Sequence, residues 1–153
     1  YPGRSAAHKA MSETVDPGQQ LPFDVRGQVI YYPGPAPARP HQIIGSAGPT
    51  TAGRMDAYTP RLLELGLKGM IGKGERNQAV KEALVRHKGI YFAAIGGLAA
   101  VLAKRIKKVE MVAYEELGTE AIRRLEVEDF PVTVINDTHG GDCYQDARRE
   151  YER

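Results

Sequence analysis

The sequence predicts an α/β fold in a single domain spanning residues 1–153. Three observations carry that expectation. From Arg54 onward, segments of helical period alternate with short apolar segments of strand character, the pattern of a sheet with helices packed on it. The strand candidates are short, and Val132 to Ile135 is β-branched, as buried strands are. The length, 153 residues, is one domain's worth and allows a core to be buried without disulfide staples.

The elements follow in chain order. Ser5 to Met11 reads as a helix start with Ser5 as its N-cap. Glu13 to Asp24 holds Asp16-Pro17-Gly18 and Leu21-Pro22 and reads as a loop. Val25 to Tyr32 reads as a strand. Pro33 to Gly48 carries prolines at 33, 35, 37 and 40 and reads as loop, with Ile43 and Ile44 as packed anchors. Met55, Tyr58 and Leu62 share a helix face that ends at Gly66. Gly69 to Gly72 is a short strand. Ala79, Val80, Ala83 and Leu84 mark a helix from Glu75 to His87. Ile90 to Ala94 is the next strand. Leu98, Val101, Leu102 and Ile106 mark a helix whose alanines suit close packing. Val109 to Ala113 is a strand, Thr119 to Leu125 one or two helical turns, and Val132 to Ile135 a strand. Tyr144, Ala147 and Tyr151 mark a terminal helix.

Composition narrows the function classes. Apolar residues make up 42% and charged residues 26%, a globular balance rather than a disordered one. Lys plus Arg is 21 against 19 for Asp plus Glu, so net charge alone gives no nucleic-acid footprint. The single cysteine, Cys143, excludes an internal disulfide and any iron–sulfur or Cys-rich zinc site built by this chain alone. The chain starts at Tyr1 and runs at once into a helix-like segment, so the first strand of the domain is expected to be missing. A cytoplasmic location is expected.

Three segments could carry chemistry. Gly45-Ser46-Ala47-Gly48-Pro49-Thr50-Thr51-Ala52-Gly53-Arg54 is a small-residue loop leading into a helix, suited to presenting amides to an anion. Arg54 ends it with a planar fork that fits a carboxylate. A tight turn with a solvent-facing arginine explains the same residues equally well. No Gly-Lys-Ser/Thr closes the loop, so it is not a Walker A. Gly72-Lys73-Gly74-Glu75-Arg76 places Lys73 at the carboxyl end of a strand, where α/β folds bind ligands. Gly3-Arg4-Ser5-Ala6-Ala7-His8-Lys9 puts Arg4 and His8 near a helix start. Each of these two segments, taken alone, reads more readily as surface charge. Together Arg4, Arg54 and Lys73 would suit a small di- or tricarboxylate. Asp137, His139 and Asp142 come nearest to a metal cluster, and a polar turn is the favoured reading there.

GSAGPTTAGRMDAY (45–58) resembles the signature of the iron–sulfur-dependent class I fumarase and tartrate dehydratase family, in its β subunit or C-terminal domain. GRSAAHKAM (3–11) resembles that family's Arg-Asp-Ala-Ala-His-Lys-Arg segment, with Ser5 where Asp is usual and Ala10 in place of Arg. GLKGMIGKGER (66–76), AAIGGLAAVLAKRIKKVE (93–110) and LEVEDFPVTVINDTHG (125–140) are similar to its later blocks.

The resemblance implies a swivelling β/β/α domain. It also implies a partner α subunit that holds a [4Fe–4S] cluster through its own cysteines, in a heterotetramer of two α and two β subunits. By the same resemblance, Arg4, Arg54 and Lys73 clamp substrate carboxylates. Thr50 exchanges the C3 proton with help from an acid of the partner, and Thr51 and Gly48 line the pocket. A neutral threonine hydroxyl is a poor base, so the clamp is the firmer part. The implied reaction is reversible trans hydration of fumarate to (S)-malate, favoured as the commoner metabolic role. The alternatives are dehydration of L-tartrate to oxaloacetate, and a non-enzymatic anion-binding or assembly module.

Overall fold

The computed structural model describes residues 5–15 and 21–152. Its centre is a four-stranded sheet of β1 (Val29–Tyr31), β4 (Gly69–Gly72), β5 (Ile90–Ala93) and β8 (Thr133–Asn136), in the order β1-β4-β5-β8. The first three strands run parallel and β8 is antiparallel. Helix α3 (Gln78–His87) makes the crossover from β4 to β5, and α2 (Thr59–Glu64) lies beside it. The expected α/β architecture is therefore present.

Side chains alternate across the sheet, as the pleat requires. Ile30, Tyr32, Met70 and Tyr91 enter the main core with Leu62 and Leu63 of α2 and Val80 and Leu84 of α3. Burying each of these leucines contributes about 1.5–3 kcal/mol. Tyr31 and Ile71 face the other way, against Ala94 and Leu102. Leu102 belongs to α4 (Ala99–Lys104), which packs on β3 (Ala47–Pro49) and on β6 (Ile106–Ala113). Val101, expected on the buried face of that helix, is exposed.

Local signals set the helix ends. The Asn77 side chain accepts from the Val80 amide at 2.9 Å and caps α3, and Lys88 closes it in a left-handed conformation. Asp142 caps α5 (Cys143–Tyr151) by accepting from Tyr144 and Gln145 at 3.1 and 3.2 Å. Helix α1 (Ser5–Val15) runs past the expected Met11 and packs against the 3-10 helices at Ala52–Met55 and Glu115–Glu120.

Three expectations are corrected. Residues 33–48 are not loop throughout: β2 (Pro33–Pro35) pairs antiparallel with β3. Its prolines are tolerated because the ribbon has only two strands and needs few donors. Within the remaining loop Ile44 is half-buried, but Ile43 is 57% exposed. The single helix expected from Arg54 to Gly66 is instead a 3-10 helix at Ala52–Met55, a turn, and α2, where Pro60 suits the first helical turn. The helical turns expected at Thr119 to Leu125 are largely strand: β7 (Ile122–Val127) pairs antiparallel with β6.

Candidate functional site

The candidate site forms beyond the carboxyl ends of β1 and β4, and main-chain bonds build its frame. The Thr50 amide donates to the Tyr32 carbonyl at 2.7 Å, extending β1. The Lys73 amide donates to the Thr50 carbonyl at 3.1 Å, and the Ala52 amide to the Lys73 carbonyl at 2.9 Å. Thr51 and Lys73 thus pair as a parallel bridge, and paired residues project from the same face. Arg54 follows in the 3-10 helix. Thr51, Arg54 and Lys73 are exposed and Thr50 is half-buried. The sequence segments 50–54 and 73 are therefore brought together.

Two amides of the 45–54 segment are not free for an anion: those of Thr50 and Ala52 are held by the Tyr32 and Lys73 carbonyls. At these positions the segment is a frame that carries side chains. Gly48 sits in β3 opposite Gly34, and a Cβ there would meet Ala99 Cβ at 3.0 Å. The approach of α4 thus accounts for the missing side chain. Gly72 is tighter still, with Ala52 Cβ at 3.0 Å and Tyr32 Cδ2 at 3.1 Å from the position of its own Cβ. Arg4 lies outside the described residues, as does the His8 side chain.

Thr50 Oγ1 donates to the Tyr32 carbonyl at 3.0 Å. The hydroxyl proton is directed into the frame, which leaves the oxygen as an acceptor. Removing that proton would set an alkoxide against a carbonyl oxygen, so this contact favours the neutral hydroxyl.

A buried polar cluster lies beneath the site and has no counterpart in the sequence reading. Arg76 Nε donates to Asp56 Oδ1 at 2.6 Å, and Nη2 to Thr59 Oγ1 at 2.7 Å. The guanidinium lies 5.6 Å from the Tyr32 ring centre and 5.0 Å from that of Tyr91. Burial works against the Arg76 charge, but the Asp56 carboxylate bonded to it outweighs burial and holds the group protonated. Burial pushes the Tyr32 and Tyr91 phenols upward, so both are neutral at physiological pH. The sequence signal for Arg76 was slight: an arginine in a Gly-Lys-Gly-Glu-Arg turn looks like a solvated cation.

The 137–142 segment is a capped turn. Asp137 Oδ1 accepts from the His139 and Gly141 amides at 2.8 and 2.9 Å, and Asp142 pairs with Lys81 at 2.5 Å. Among the described residues no group of three His, Cys, Asp or Glu side chains is arranged to hold a metal ion. Cys143, the sole cysteine, is exposed at the start of α5. One thiol cannot bind a four-iron cluster, so the donors on this chain do not fit that group.

Residues 1–147 match the family model described as Fumarase C-terminus. The chain is 48% identical over 145 residues to "Fumarate hydratase class I, anaerobic" of Escherichia coli K12, covering 94% of this chain and 26% of that protein. It is 43% identical over 143 residues to "Fumarate hydratase 2" of Leishmania major, covering 92% and 25%. It is 33% identical over 160 residues to "Putative L(+)-tartrate dehydratase subunit beta" of Methanocaldococcus jannaschii, covering 100% and 82%. The chain spans about a quarter of the length of the fumarate hydratases and most of the tartrate dehydratase subunit. With residues 1–147 matched by its model, this chain belongs to the fumarase C-terminus family.

Proposed function

We propose that this chain is the β portion of a class I fumarate hydratase, catalysing reversible hydration of fumarate to (S)-malate with an iron–sulfur α portion. The match of residues 1–147 to the Fumarase C-terminus model carries the reading, and the main-chain bridge that sets Thr51 beside Lys73 supports it. The swivelling β/β/α domain type is part of the same proposal. So are the heterotetramer and the [4Fe–4S] cluster, whose cysteine ligands would come from the partner.

In this reading Arg54 and Lys73 bind the substrate carboxylates, with Arg4 as a third cation. Fixed cations orient a flat dicarboxylate as well as hold it. Hydration delivers a proton to C3 and a hydroxyl to C2. Thr50 is assigned the C3 proton exchange, coupled to an acid of the partner. Its hydroxyl must leave the Tyr32 carbonyl to do so. Thr51 and Gly48 line the pocket.

A second reading, the β subunit of an L-tartrate dehydratase, is favoured by one observation: the match covers 82% of a separate subunit of that name. The test is anaerobic co-purification with the α portion, with fumarate and L-tartrate assayed side by side. Fumarate hydration by the complex, and none by this chain alone, is the expected outcome. Tartrate turnover in preference would move the assignment to the second reading. A complex no more active than its α portion would leave this chain a binding or assembly module.

A further inference from the structure

Arg76 is fully buried in its side chain, and its ion pair joins two segments that each carry a candidate substrate cation. Asp56 directly follows the 3-10 helix bearing Arg54, and its amide donates to the Gly53 carbonyl at 3.2 Å. Its two carboxylate oxygens take different donors from the loop after Lys73: Oδ1 takes Arg76 Nε, and Oδ2 takes the Asn77 amide at 2.7 Å. Tyr91 fastens the same loop one step closer to Lys73, its hydroxyl donating to the Gly74 carbonyl at 2.8 Å. Gly74 has φ +82°, a left-handed turn that directs the chain from Lys73 back into the cluster.

Net stability is a weak reason for such a cluster. Well-packed apolar residues of the same volume often serve a buried site as well as an ion pair does. What apolar packing lacks is direction. Three directional bonds hold residues 76 and 77 against residues 56 and 59, and a fourth, from Tyr91 of β5, holds Gly74. The exposed Lys73 and Arg54 side chains stand on the two segments so joined.

We propose that Arg76 and Asp56 are positioning residues that set the spacing between Lys73 and Arg54, so that the pair matches the two carboxylates of the substrate. The inference rests on the proposed clamp. Arg76 touches no substrate in this account and acts through the two cations.

The test is a double-mutant cycle in the complete enzyme with its iron–sulfur portion. Arg76→Lys keeps the charge beside Asp56 and removes the fork. It is expected to lower kcat/KM roughly 10- to 100-fold, mostly through KM, the scale of a small misplacement at an active site. In a Lys73→Ala background the same change is expected to cost less than about twofold, because the residue it positions is gone. A purely structural role would instead lower the melting temperature and multiply independently with Lys73→Ala; that result overturns the proposal. If Arg76→Lys does not fold, Tyr91→Phe takes its place in the cycle. It frees the Gly74 carbonyl while keeping the ring, with an expected loss of about fivefold, and additivity with Lys73→Ala overturns the proposal in the same way. If Lys73→Ala by itself leaves kcat/KM unchanged, the clamp fails first and the positioning role falls with it.

Discussion

The Lys73 amide donates to the Thr50 carbonyl at 3.1 Å, and the Lys73 carbonyl accepts from Ala52 at 2.9 Å, so Lys73 grips the Thr50–Ala52 segment on both of its polar groups. The lysine side chain is thereby fixed at its root while its ammonium stays exposed. The side chain can therefore be removed without cutting the frame.

Arg54→Ala is expected to reduce kcat/KM by the equivalent of about 2–5 kcal/mol, the range for truncating one member of a desolvated charge pair. Arg54 is exposed and packs no core, so the melting temperature is expected to hold. Steady-state kinetics beside a thermal melt checks both. Near-unchanged kcat/KM would remove Arg54 from the clamp.

Thr50→Ala is expected to lower kcat far more than it raises KM. Thr50→Ser keeps the hydroxyl and its bond to the Tyr32 carbonyl, and is expected to retain much of the rate. A large KM effect with kcat intact would make Thr50 a binding residue only.

Gly72→Ala is expected to destabilise the fold by about 1–3 kcal/mol, the usual cost of overpacking. The new methyl would lie 3.0 Å from Ala52 Cβ and 3.4 Å from the Thr50 carbonyl, so it presses on the site frame itself. Denaturant unfolding measures the first effect and a rise in KM the second. A variant with wild-type stability would show that the frame yields more readily than this packing allows.

Burial raises the Asp142 carboxyl, but the Lys81 ammonium and the Gln145 and Tyr144 amides outweigh it and hold the group below its ordinary 3.8. The unfolded chain therefore binds the proton more readily. The stabilisation is complete above about pH 4 and is lost as pH falls through the folded-state value. Unfolding midpoints between about pH 6 and pH 3 are expected to decline less steeply for Asp142→Asn than for the natural chain. Asp142→Ala removes the cap and the ion pair together, at a cost of about 2–4 kcal/mol.

The sequence pattern reveals local structure well and long-range structure poorly. The strand at Gly69–Gly72 has the expected bounds, because glycines and a charged turn delimit a short apolar run. Helix α3 starts at Gln78 rather than Glu75, because Arg76 turns inward to Asp56 and Asn77 becomes the cap. Strand β7 was hidden because its pairing with β6 lies outside any local window. The β2–β3 ribbon was hidden because Pro and Gly oppose strand propensity, and only pairing across the loop overrides them. At the candidate site, the motif spacing singled out Thr50, Arg54 and Lys73 as expectations, but not the buried Asp56–Arg76 pair beneath them. A charge partner twenty residues away leaves no local signature.

The frame of the site is made of peptide groups: the Tyr32 carbonyl, the Thr50 amide and carbonyl, the Ala52 amide and both polar groups of Lys73. Every residue except proline offers the same amide, and every residue the same carbonyl. Side chains on this edge can therefore be exchanged over generations while the platform beneath them keeps its shape.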